Sequence, residues 1–135
     1  MRNGGSKNKG NRAEIKWYRD LKALNIPVVR SLGSGSSYDE KADLYTPNYI
    51  IECKHYKKLT PGQITSFWTK VCQESNIMKK FPVLLYKENF RNPRVLMFAP
   101  QPLIEGVPDS HYKITMDYKD FLHFMNHSEI KKRVE

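Results

Sequence analysis

Asp43, Glu52 and Lys54 are the residues whose types and spacing best suit chemistry in this chain. They lie in the run Asp43-Leu-Tyr-Thr-Pro-Asn-Tyr-Ile-Ile-Glu-Cys-Lys54. Leu44, Tyr45, Tyr49, Ile50 and Ile51 favour strand, and Pro47-Asn48 between them is turn chemistry, so the local reading is a β-hairpin. With Pro47 and Asn48 at the turn, Thr46 pairs with Tyr49 and Asp43 comes to lie opposite Glu52. Directly opposed residues hold their Cβ atoms roughly 4.5–5.5 Å apart, and two like charges there destabilise the pair unless a positive charge comes between them.

Alternation along a strand puts Glu52 and Lys54 on one face and Ile51 and Cys53 on the other. Two carboxylates with a lysine beside them suit a divalent cation of the Mg²⁺ type, with phosphate oxygens completing its shell. That layout cleaves phosphodiesters. The plain alternative is a surface hairpin carrying three solvated charges, and the flanking segments have to decide between the two.

Before the hairpin, Ala13, Trp17, Leu21 and Leu24 recur at helical spacing, predicting an amphipathic helix over 13–24. Glu14 leans toward its half-buried side. Asn11 and Glu14 also fit a capping-box pattern, in which Glu14 reaches back to an amide at the helix start, and local sequence favours that role. Asn25-Ile26-Pro27 ends the helix, and Val28-Val29-Arg30 reads as a short strand. The Gly/Ser-rich run 31–37 is a loop leading to the site. Asp39 and Glu40 are rival carboxylates in that loop, without opposed partners.

After the hairpin, Thr60-Pro61 with Gln63 predicts a capped helix whose Ile64, Phe67, Trp68, Val71 and Cys72 pack into the core. Val83 to Tyr86 and Val95 to Phe98 read as strands buried on both faces. Residues 100–109 are proline-rich and irregular. A last helix opens at Asp117 and carries Phe121, Leu122, Phe124 and Met125. His123 and His127 on it are expected to face solvent. The order of elements predicts a single α/β domain, a central mixed sheet flanked by helices, over 13–127. A flexible basic arm over 1–12 and a charged, frayed tail over 128–135 flank it.

With 135 residues, 39% of them hydrophobic, the chain can bury a real core. Twenty-three Lys and Arg against 14 Asp and Glu give a net charge of +9, and the pI is near 9.6. That balance favours a polyanion, nucleic acid first, over an anionic membrane surface or mere solubility. The two cysteines, Cys53 and Cys72, form no C-x-x-C pair and read as reduced core thiols. No apolar run approaches the ~20 residues of a membrane span. The expected location is the cytoplasm, of a cell or of a virus-infected host.

Four blocks, Lys9-Gly10-x-x-Ala13-Glu14, Val28-Val29-Arg30-Ser31-x-Gly33-Ser34, Asp43, and Ile51-Glu52-Cys53-Lys54, resemble in order and spacing the archaeal-type Holliday junction resolvases. These belong to the restriction-endonuclease-like PD-(D/E)XK nuclease superfamily. The resemblance implies that Glu14, Asp43, Glu52 and the backbone carbonyl of Cys53 hold Mg²⁺, with Mn²⁺ able to substitute, and it overrides the capping role for Glu14. It further implies that Lys54 orients or activates the attacking water, that Arg30 lies near the scissile phosphate, and that the Ser34 to Ser37 loop supplies a hydroxyl, with Ser34 the first candidate among its serines. Arg2, Lys7, Lys9, Arg12, Arg30, Ser36, Lys57 and Lys58 are the expected DNA contacts. Ala42 stands where the family has proline, and Cys53 where it usually has valine.

The expected function is metal-dependent resolution of four-way DNA junctions by a homodimer, with no organic cofactor and no membrane partner. The alternatives are another nuclease of the same superfamily, nicking, restricting or trimming DNA, and a non-catalytic basic DNA-binding protein. The intact set Glu14, Asp43, Glu52 and Lys54 argues against the last, since phosphate binding alone does not call for three acids.

Overall fold

The computed structural model describes residues 3–31, 42–99 and 113–129. In chain order the elements are α1 (Asn3–Ala23), β1 (Val29–Arg30), β2 (Leu44–Tyr45), β3 (Tyr49–Tyr56), α2 (Pro61–Met78), β4 (Phe81–Glu88), β5 (Arg94–Phe98), β6 (Lys113–Asp117) and α3 (Tyr118–Ser128). The six strands form one sheet in the order β1-β2-β3-β4-β5-β6. Only β3 and β4 run parallel, and α2 makes the crossover that a parallel pair requires. The expected mixed α/β sheet with flanking helices is what the chain forms.

Two cores sandwich the sheet. On one face Trp17 and Leu21 of α1 and Phe121 and Met125 of α3 meet Ile51, Cys53, Val83, Leu85, Val95 and Met97. On the other, Trp68 and Val71 of α2 meet Ile50, Leu84 and Leu96. Neighbouring residues of β3, β4 and β5 thus divide between the two cores, which is why β4 and β5 read as unbroken apolar runs. Phe121 and Met125 are fully buried, so the apolar stripe of α3 is spent on the core.

Thr60 caps α2 as its sequence predicts. Its hydroxyl accepts from the Gln63 N–H (3.1 Å), the Gln63 side chain accepts from the Thr60 N–H (2.9 Å), and Pro61 opens the helix. The hairpin closes where expected too: Thr46 N–H donates to Tyr49 C=O (2.9 Å), and Leu44 and Tyr45 pair with Ile51 and Ile50.

Several expectations need correction. Helix α1 begins at Asn3, so residues 3–12, read as a flexible arm, continue the helix; once nucleated, a helix adds turns at small cost, here even through Gly4, Gly5 and Gly10. Asn11 is therefore inside α1 and caps nothing. Strand β6 was missed, although Lys113-Ile-Thr-Met-Asp117 alternates exposed and half-buried positions as an edge strand does. The tail does not begin at Ser128, because α3 includes Ser128 and Glu129 is buried. Its carboxylate accepts from the Thr46 hydroxyl, the Asn48 N–H (3.1 Å) and the Asn48 amide (2.6 Å), tying the C-terminal end of α3 to the hairpin turn. Residues 32–41, 100–112 and 130–135, including Asp39, Glu40 and the proline-rich segment, lie outside the described residues. Among the described residues no helix is long and apolar enough to cross a membrane.

Candidate active site

Strand β3 carries the centre of the site. Ile51 and Cys53 face the α1 core, while Glu52 and Lys54 face α2, as alternation requires. Lys54 Nζ lies 3.0 Å from Glu52 Oε2 and 4.6 Å from the ring centroid of Phe67 on α2. The ring and the carboxylate together hold the ammonium in place.

Asp43 departs from the expected ladder pairing with Glu52. The regular register ends at Leu44, and the Asp43 N–H donates to Ile51 C=O (3.1 Å), opposite which Leu44 already sits. This bulge-like step turns the Asp43 side chain, and its Oδ2 accepts the Cys53 N–H at 2.7 Å. Asp43 consequently reaches acids on both sides of the sheet. It lies close enough to Glu14 of α1 and to Glu52 for its charge to raise the pKa of each.

Arg30 arrives from β1, which pairs with β2 through Arg30 and Leu44, while Ser31 N–H donates to Asp43 C=O (2.9 Å). Its Nε donates to Glu14 Oε2 at 2.5 Å and its Nη2 to Asn11 Oδ1 at 2.6 Å. Helix α1 thus contributes both an acid and the amide that holds the arginine fork.

Burial governs the protonation of these groups. Glu52 is pushed up to about 7, first by loss of water and then by the Asp43 charge, with Lys54 opposing and Glu74 adding to the rise. Asp43 is raised by burial, against the pull of the Cys53 N–H and of Lys54. Glu14 is raised by burial and by Asp43, against the Arg30 hydrogen bond. Burial alone would depress the Lys54 ammonium, but Glu52 outweighs it and the group stays firmly charged. The Cys53 thiol, buried beside these acids, is pushed far up and stays neutral.

Among the described residues no three acidic, histidine or cysteine side chains converge into a finished metal cage. The donors nevertheless fit a hard divalent cation. Glu52 Oε1 is buried without a hydrogen-bond partner, and the charges of Asp43, Glu14 and Glu52 act on one another, with Arg30 paired to Glu14 and Lys54 to Glu52. All donors are oxygens, the type Mg²⁺ and Mn²⁺ prefer.

Of the sequence-expected residues, Glu14, Arg30, Asp43, Glu52 and Lys54 come together here. Ser34, Ser36 and Arg2 lie outside the described residues, and Lys7 and Lys9 fall on α1. Arg12, Lys57 and Lys58 are exposed, the lysines just past the end of β3. The exposed His123 and His127 form a ring pair (4.6 Å) on α3. Three contributors were missed. Asn11 positions Arg30, Lys70 lends positive charge to Asp43, and Glu74 on α2 is buried near Glu52. Glu74 had a signal: Val71, Glu74 and Ser75 share one helix face at i, i+3 and i+4.

Acids gathered around a strand-borne Glu-x-Lys are the layout expected of a phosphodiester-hydrolysing site. The family model described as "Phage putative PDDEXK endonuclease" matches residues 5–133, and the chain belongs to that family. No curated protein matches it. Among solved structures it is similar to Hjc of Archaeoglobus fulgidus, a Holliday junction resolvase from an archaeal hyperthermophile. That match has a TM-score of 0.46 and 15% identity, covering 82% of this chain and 89% of that one.

Proposed function

We propose that this chain is a metal-dependent, structure-selective DNA endonuclease that resolves four-way junctions as a homodimer, in the cytoplasm of a cell or an infected host. The observation that carries the reading is Asp43 held between Glu14 and Glu52, with Lys54 fastened to Glu52. Glu14, Asp43, Glu52 and the Cys53 carbonyl would hold Mg²⁺ or Mn²⁺, which when bound lowers the pKa of a water and offsets charge building on the phosphate. Lys54, permanently charged and aimed by Phe67 and Glu52, orients the attacking water by donating to its oxygen. Arg30, presented by Asn11, engages a non-bridging phosphate oxygen once DNA displaces Glu14 from its fork. The products are a 5′-phosphate and a 3′-hydroxyl.

A two-fold dimer supplies two sites related as the opposed strands of a junction are. Family membership without a defined substrate supports a second reading, a phage nuclease that nicks or trims duplex DNA. The experiment compares cleavage of a labelled four-way junction, a Y-fork and linear duplex, with Mg²⁺ and with EDTA, by wild type and Asp43→Asn, alongside mass in solution. Paired cuts on the junction by a dimer, absent in EDTA and in Asp43→Asn, are expected. A monomer, or equal cutting of linear duplex, removes the resolvase reading. Cutting by Asp43→Asn at the wild-type rate removes the site itself.

A further inference from the structure

Beside the site, on the same face of the sheet, lies a cavity of about 370 Å³ at the β4–β5 turn, lined by Tyr86, Phe90, Arg91, Asn92 and Arg94 among others. That volume is within the ~300–1,000 Å³ range of small-ligand sites. Its position follows from register. Lys54 pairs with Tyr86, Tyr86 with Arg94, and Arg94 with Asp117, so one row of cross-strand neighbours runs from the candidate catalytic lysine into the cavity. At about 4.8 Å per strand, Arg94 is roughly 10 Å from Lys54, or about three stacked nucleotides along one strand.

Phe90 is the unusual member. It is 102% exposed, and its φ of 64° lies in the left-handed region, at the third position of a turn closed by Arg91 N–H on Glu88 C=O (3.2 Å). Glycine or asparagine is favoured there, so an aromatic side chain is held in solvent against both its hydropathy and its backbone preference. The turn is braced. Lys87 Nζ donates to the carbonyls of Glu88 (3.3 Å) and Arg91 (2.7 Å), Asn89 N–H donates to Tyr56 C=O (3.2 Å), and His55 Nε2 lies 3.1 Å from Asn89 Oδ1. The backbone that presents Phe90 is therefore braced and anchored to the strand that carries Glu52 and Lys54.

The cavity's charges suit a nucleotide. Arg91 lies 3.6 Å from Glu88, and Arg94 lies 4.0 Å from Asp117; all but Glu88 are more than half exposed, so both pairs are loose and the arginines can turn to phosphate. Glu88 is committed elsewhere, accepting the Leu59 N–H at 2.7 Å. Exposed Lys57 and Lys58 extend the positive surface from the end of β3.

We infer that this cavity takes an unpaired nucleotide of the DNA substrate, its base stacked on Phe90 against Tyr86 and its phosphate held by Arg91 and Arg94. Aromatic stacking accepts any base, and single-strand binding proteins combine it with a basic groove in the same way. The cavity would then make the enzyme prefer DNA with unstacked bases near the cut. This rests on the nuclease reading above.

The test measures affinity in EDTA, where no cutting occurs, for a duplex with a short single-stranded gap and for the same duplex intact. The full chain is compared with Phe90→Ala, Arg94→Ala and Phe90→Trp. Wild type should favour the gapped DNA, and Phe90→Ala and Arg94→Ala should each lower that preference about tenfold. Phe90→Trp should keep the preference, with its added fluorescence quenched by gapped DNA and not by intact duplex. Equal affinity of wild type for both DNAs, or an undiminished preference in Phe90→Ala, overturns the inference and leaves the nuclease reading standing. If wild type binds neither DNA, both fall.

Discussion

Replacing Glu52 by Gln should make the metal-free protein more stable while abolishing its cleavage of DNA. Glu52 is 5% exposed, and burial with the Asp43 charge lifts its pKa from an ordinary 4.5 to about 7. Between those values the folded state binds more protons than the unfolded chain, so stability is greatest below 4.5 and falls as pH rises to about 7. Each pKa step of one corresponds to about 1.36 kcal/mol, which sets a ceiling of roughly 3 kcal/mol on the destabilisation at pH 8. Gln removes the charge but leaves a buried amide to satisfy and takes the partner from Lys54, which keeps Phe67 and partial exposure. A net gain of about 1–2 kcal/mol remains, or roughly 5 °C in melting temperature for a domain of this size. Urea and thermal melts in EDTA at pH 5.5 and pH 8 measure it. Wild type should lose stability between the two pH values, and Glu52→Gln should lose less. Added Mg²⁺ should stabilise wild type at pH 8 and leave Glu52→Gln unmoved. A variant less stable than wild type at pH 8 in EDTA would refute the electrostatic account of the site.

Two further substitutions probe the frame around it. Glu129→Ala strips the acceptor from Thr46 and from both donors of Asn48, and should cost about 2 kcal/mol in denaturant melts, with Glu129→Gln costing less; no loss would mean that this carboxylate does not hold the hairpin turn. Phe90→Gly relieves a left-handed backbone at a side chain that contributes no packing, so stability should hold or rise by up to about 1 kcal/mol even as binding to gapped DNA weakens. A loss above 1 kcal/mol would place Phe90 in the structural core of the turn instead.

What the sequence determined by itself was whatever depends on neighbours a few residues away. The Pro47-Asn48 turn set the hairpin register through Leu44, Thr60 and Gln63 capped α2, and the apolar runs of β4 and β5 announced strands covered on both sides. Glu14 was legible as a candidate site residue only through resemblance, because local pattern argued for a cap. The tertiary structure decided which charges meet. Whether Asp43 faces Glu52 squarely or swings toward the Cys53 N–H depends on the bulge-like step at Leu44 and on the strand and helix packed beside it, a long-range outcome without any local period. The same holds for Glu129, which looks like part of a charged tail until α3 folds back onto a turn more than eighty positions earlier. Turn and helix preferences act over one or two turns of chain. Burial, which raises Glu52 and isolates Glu129, exists only once distant segments have excluded water together.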